Sequence, residues 1–236
     1  MPQERETVRV NFGKPAPLFP LGSVSLLPHA VLPLHIFEPC CRQMVEHVLD
    51  GAGQIALAVV DQGVCPTDPC GDAPLKPAVC IGQIVQHERL IDGRYNILVQ
   101  GVCRARIVRE EPPEGDRLYR QAILRPIEHG ETDADELDAV RDRLRFLLVE
   151  SPLRSLTASE NVAACLSRPE APTAAILELV GVSLITEERV RYQLLAEGDT
   201  AARAEIIEDE LDSLRALLAR AERQRDPKTP KGVSWN

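Results

Sequence analysis

Hydrophobic and polar positions change rhythm once along the chain, near residue 130. Before that point the alternation has period two, the mark of strands; after it, apolar residues recur at spacings of three and four, the mark of helices. In the first half Leu32, Leu34 and Ile36 alternate with Val31, Pro33, His35 and Phe37. Proline has no N–H for a ladder, so Pro33 makes this an edge strand or a bulge. Pro39 suits a first helical position, and Cys41, Met44, Val45, Val48 and Leu49 follow as one stripe, predicting a helix over 39–50. Strands are predicted at Gln54–Val60, Val79–Leu90, Arg94–Gly101, Val102–Val108 and Tyr119–Glu128. Asp92-Gly93 sits between two of them and predicts a hairpin with a type I′ turn. Six strands suffice for a small barrel or folded sheet.

The second half opens with Asp133 and Glu136, spaced as in a capping box. Leu137, Val140, Leu144, Leu147 and Leu148 line one helix face. Shorter helices are predicted over Ser159–Leu166, Thr173–Val180 and Thr186–Glu197. A last one, Thr200–Glu222, carries Ala204, Ile207, Leu211, Leu214, Leu218 and Ala221 as a heptad seam that a second copy of the chain can share. The expected organisation is a leader over 1–17, a β domain over 18–128, a helical domain over 129–225 and a patternless, disordered tail over 226–236.

Composition narrows the function. The formal net charge is −9 and aromatics are 3% of the chain, which argues against a nucleic-acid partner in need of a basic footprint and stacking platforms. The apolar run Phe19–Pro39 holds Pro20, Pro28, Pro33 and Pro39, too interrupted for a membrane span. The start has no apolar signal region. Seven cysteines in a chain this long point to a reducing, cytoplasmic compartment rather than to a disulfide framework. Cys65, Cys70 and Cys80, with Cys40 or Cys41, lack the second pair of a zinc knuckle and read as loop and core thiols, so no metal is expected.

Three stretches in fixed order carry a family resemblance. They are "FPLGSVSLLPHAVLPLHIFEPCCRQMVEHVL", "IGQIVQHERLIDGRYNILVQGVCRARIV" and "YRQAILRPIE". With Pro20-Leu21, Pro28, Leu32–Leu34, Gly82, Asp92-Gly93 and the Gly101-x-x-Arg104 step, the sequence resembles the N-terminal substrate-binding domain of Lon proteases. "RYQLLAEGDTAARAEIIEDELDSL" resembles that family's helical segment, Glu197 arriving one residue late while Asp199 and Arg203 keep their relation. The resemblance implies an α+β chain, a PUA-like β domain followed by an all-α bundle.

The catalytic parts of such proteases are missing from the sequence. No G-x-x-x-x-G-K-[ST] run exists to cradle phosphates. The four lysines, Lys14, Lys76, Lys228 and Lys231, are read as lying in leader, loop and tail, where none can serve a Ser–Lys pair. The expectation is a non-enzymatic module without cofactor that binds unfolded polypeptide or a partner protein. Its surface is placed on Leu26, Leu27, Pro28, His29, Val31, Pro33, His35 and Phe37, by strand addition and shallow apolar pockets. An RNA-binding module of PUA-like fold and a small-molecule regulatory domain are the alternatives.

Overall fold

The computed structural model describes residues 8–22, 24–61, 71, 73–127 and 134–224. Six strands and six helices follow in the order β1 Ala16–Leu21, β2 Val31–Ile36, α1 Pro39–Leu49, β3 Gln54–Val60, β4 Leu75–Arg89, β5 Tyr95–Glu111, β6 Gln121–Pro126, α2 Ala134–Arg145, α3 Thr157–Leu166, α4 Thr173–Ser183, α5 Glu188–Ala196 and α6 Thr200–Gln224. The chain is α+β and divides into two compact units.

The first unit holds residues 1–129 and 187–198. Its strands close on themselves: β1 pairs with β3 in parallel, and β3–β4, β4–β5, β5–β6 and β6–β1 are antiparallel. Alanines at 56, 58, 105 and 122 fill much of the interior beside Leu18, Val79, Ile81 and Leu124. Small side chains in the interior let five strands curl tightly. Two strands expected separately, 94–101 and 102–108, are one 17-residue strand, β5. It changes partner along its length: Tyr95–Gln100 pair with β2, and Ala105–Glu111 pair with β6. That exchange leaves β2 outside the ring, at the end of the sheet order.

The hairpin forms where expected, with a different turn. Gly93 N–H donates to the Leu90 carbonyl at 2.9 Å, and Leu90 N–H to that of Arg94 at 2.8 Å. Gly93 has φ 81, while among described non-glycine residues only His29 is positive, so Asp92 is not. The connection is therefore a three-residue loop, a type I turn closed by a left-handed glycine, rather than type I′. Asp92 serves it otherwise, accepting from Arg94 N–H and Nε at 3.1 and 2.7 Å.

Helix α1 is tied to β4 and β5 through Glu46, which pairs with Arg89 and accepts from Tyr95 Oη; the helix starts at Pro39 as expected and buries Cys40, Cys41, Met44, Val45 and Val48. Cys40 is disulfide-bonded, so the cysteine count is no support for a reducing compartment. Helix α5 packs on β4 and β5. The helical domain expected over 129–225 is thus interrupted: 187–198 belong with the strands. Two hydrogen bonds to the strands help hold them there. Tyr192 Oη accepts from Ala78 N–H at 2.9 Å, and the Leu194 carbonyl accepts from Arg104 Nε at 3.0 Å.

The second unit holds 130–186 and 199–236. Asp133, the expected cap of α2, lies outside the described residues. Helix α2 runs into a π-helical turn, Phe146–Glu150, that keeps Leu147 and Leu148 buried. The core joins Val140, Leu144, Leu153, Leu166, Ile176, Leu177 and Val180 to Ala204, Ile207 and Leu211 of α6. The first half of the α6 seam is thus spent on this unit's own core, while Leu214 and Leu218 are half-buried. Asp199 caps α6, accepting from Ala202 N–H at 2.9 Å. Arg203 pairs with Glu178 at 3.5 Å and donates to Thr200 Oγ1 at 3.1 Å. The spacing of Asp199 and Arg203 therefore serves one helix start.

Candidate functional site

Position on β2 decides which expected site residues meet solvent. Leu26 and Leu27 are 3% and 2% exposed, and Pro28 is buried as well. All three fill core, so they are withdrawn from the binding surface. The reason is a backbone clamp across β5. His29 N–H donates to the Gly101 carbonyl at 2.8 Å, Gly101 N–H to that of Ala30 at 2.9 Å, and Ala30 N–H to that of Leu27 at 3.1 Å. A Cβ on residue 101 would lie 2.2 Å from the Leu27 carbonyl oxygen, so only glycine admits the crossing. His29 turns the chain with φ 66 and is exposed.

Val31, Pro33, His35 and Phe37 are brought together on the solvent face of a three-stranded ribbon. Pairing sets rows across it: Pro33 beside Leu98 beside Gln86, and His35 beside Asn96 beside Glu88. These rows line an open concavity of about 430 Å³. The second row is hydrogen-bonded throughout. His35 Nδ1 lies 2.8 Å from Asn96 Oδ1, and Asn96 Nδ2 donates to Glu88 Oε2 at 3.2 Å. On the other side Arg94 Nη1 lies 3.4 Å from His35 Nε2. A guanidinium only donates, which assigns the His35 proton to Nδ1, pointing at Asn96. Arg94 also holds Asp92, and its side-chain hydrogen bond keeps that carboxyl below the usual carboxylate range.

Exposed apolar side chains ring the ribbon: Val31, Phe37, Val85 and Ile91 at the hairpin tip, the first three between 51% and 57% exposed. His35 and Phe37 stack with ring centres 6.2 Å apart. Val85 stands out because a bulge between Ile84 and Gln86 adds one residue to β4. Val85, Glu88, Asn96 and Leu98 escape sequence reading. Counting back from the hairpin pairs Asn96 with Glu88 once the three-residue turn is known, but the bulge has no local signal. The charges are of mixed sign, unsuited to a polyphosphate strand.

Lys76 also needs correction. It lies on β4 rather than in a loop, with its ammonium 4.6 Å above the Tyr192 ring. Cys80 is buried in the core; Cys65 and Cys70 lie outside the described residues. No group of three His, Cys, Asp or Glu among the described residues is placed to hold a metal. None of the described helices is long and apolar enough to cross a membrane.

Comparison with known proteins places these features in a family. The model of the ATP-dependent protease La (LON) substrate-binding domain matches residues 15–213, so the match runs on from the β unit through most of the helices. The chain belongs to the Lon substrate-binding domain family. Among curated relatives, the Lon protease of Azorhizobium caulinodans is 28% identical over 55% of this chain and 15% of its own length. That of Helicobacter pylori strain 26695 is 22% identical over 82% of this chain and 22% of its own. The chain thus spans about a fifth or less of these relatives. The N-terminal domain of a Mycobacterium avium complex Lon protease superposes with TM-score 0.64 at 18% identity, covering 84% of this chain and 98% of that domain. A Lon N-terminal domain protein from Xanthomonas campestris gives 0.56 at 20% identity, over 81% and 95%. The fold is theirs.

Proposed function

We propose that this chain is a non-catalytic binding module that recognises unfolded polypeptide segments, or a partner protein displaying one, on the outer face of the β2–β5–β4 ribbon. One observation carries this reading: Val31 on β2, Phe37 directly after it and Val85 on β4, all more than half exposed, belong to the stretch whose strands line one open concavity beside an edge strand. Single exposed apolar residues are ordinary, but a rimmed group is a mark of interaction surfaces. Membership of a substrate-binding domain family supports a binding role for the module. Leu98 and Pro33 give the concavity apolar lining, and the His35–Asn96–Glu88 row supplies polar contacts. Affinity is expected to be weak, because a disordered segment gives up conformational freedom on binding.

The test uses a reduced, carboxymethylated polypeptide that cannot refold, with binding read by fluorescence anisotropy. Phe37→Ser and Val31→Ser each weaken binding about fivefold, through loss of roughly 1 kcal/mol of apolar burial. They leave the melting temperature within about 2 °C, since both side chains face solvent. Unchanged affinity in the double variant overturns the assignment. The wild-type chain is expected to hydrolyse neither ATP nor casein.

A further inference from the structure

Resting on that reading, we propose that the polypeptide is taken as an added β-strand on the free edge of β2, and that Pro33 limits what this edge accepts. The warrant is the direction of backbone groups, which two bonds establish independently. The Arg94 carbonyl accepts from Leu90 N–H, so Arg94 turns its backbone toward β4, and by alternation so do Asn96 and Leu98. Gly101 N–H donates to the Ala30 carbonyl, so Gly101 faces β2, and by alternation so do Val99, Ile97 and Tyr95. Their partners Leu32, Leu34 and Ile36 therefore spend their backbone groups on β5. Val31, Pro33 and His35 point theirs outward. Proline agrees with this parity, because it stands where no donor is owed to the ladder. Among the described residues, no backbone bond from another element reaches these three.

The outward edge thus offers three carbonyl acceptors, on Val31, Pro33 and His35, but only two N–H donors, on Val31 and His35. Its complement is a short extended backbone that brings an N–H to every second position. An alternating apolar peptide fits twice over: its backbone completes the edge, and its apolar side chains stand beside Val31 and Pro33, on the face where Leu98 adjoins Pro33. The missing donor at Pro33 keeps the edge from pairing strongly with any strand it meets, a copy of itself included.

An eight-residue peptide alternating valine and serine, labelled at one end, tests this with the full chain. Alternation fixes its register, because a slip by one residue turns every valine to the other face. N-methylation of backbone nitrogens on one set of alternate residues is expected to lower affinity at least tenfold, as several hydrogen bonds and the close strand approach are lost together. N-methylation of the other set leaves affinity within about twofold. Equal losses from both sets overturn strand addition while leaving polypeptide binding intact. Absence of binding by both this peptide and the carboxymethylated polypeptide overturns the reading beneath it. Pro33→Val supplies the third outward donor and should tighten binding of the unmethylated peptide about fivefold, with melting unchanged; unaltered affinity counts against the edge.

Discussion

Arg104 and Leu194 are ninety residues apart in the chain and joined by one hydrogen bond, from Nε to the carbonyl oxygen at 3.0 Å. The guanidinium is 2% exposed on β5, and the carbonyl belongs to the last turn of α5. A cation there meets the negative end of the helix and carbonyls with no partner inside it. The bond attaches a helix, embedded in the sequence of the other unit, to the strands.

Replacing Arg104 by methionine keeps most of the volume and removes the donor. The buried Leu194 carbonyl then loses its partner, at a cost of about 2–3 kcal/mol. Thermal unfolding should fall by roughly 5–10 °C. Amide exchange should rise first in α5. A melting temperature within a degree of the wild type would show that the bond contributes nothing.

Leu27→Asp separates the two roles once open to Leu27. With the side chain 2% exposed, the carboxylate enters the core and should cost several kcal/mol, enough to lower the yield of folded chain. Gly101→Ala acts on the same crossing, by driving a methyl into the Leu27 backbone. It is expected to cost about 1–3 kcal/mol and to weaken peptide binding by displacing the start of β2. Urea melts of both variants check this, and an unperturbed midpoint in either would refute the clamp.

Glu178 and Arg203 form a buried pair in the helical unit, 9% and 3% exposed at their side chains. Removing one partner strands the other's charge at a cost of about 3–5 kcal/mol, whereas replacing both with apolar residues can be close to neutral. Glu178→Leu and Arg203→Leu should each destabilise strongly, and the double variant should regain most of the loss. Additive losses in that cycle would contradict the pairing.

Alkaline pH should find a weak point at Tyr95. Burial, helped by a hydrogen bond to Glu46 and its charge, raises the phenol above its ordinary value. The unfolded chain then releases the proton at lower pH than the folded one. Stability is therefore full below about pH 10 and is lost as pH rises toward the folded-state value. Tyr95→Phe should flatten part of that decline in urea melts at pH 9–11. A variant that declines as steeply as wild type would exclude Tyr95.

Several features were determined by local chemistry alone. Pro39 and the stripe through Val48 specify α1 because an N1 proline and a 3.6-residue period depend on nothing distant. Pro33 marks an edge strand because a missing N–H is a property of the residue. Asp92-Gly93 locates a hairpin because only glycine takes the left-handed position cheaply. Family membership was readable for the same reason, since such residues keep their order. Other features depend on partners far away in sequence. Leu26 and Leu27 look like exposed loop residues until Gly101 is seen to let their backbone cross β5. Arg104 and Arg106 sit on one strand and read alike, yet Arg104 is buried against the end of α5 while Arg106 is exposed. Helix α5 has the same period as its neighbours, and contacts with distant strand residues, Ala78 and Arg104 among them, decide that it joins the strands. The candidate site is divided in the same way: β2 announces its own free edge, but Leu98, Asn96 and Glu88 reach it through pairing register and a bulge. Register is a relation between strands, and no single strand carries it.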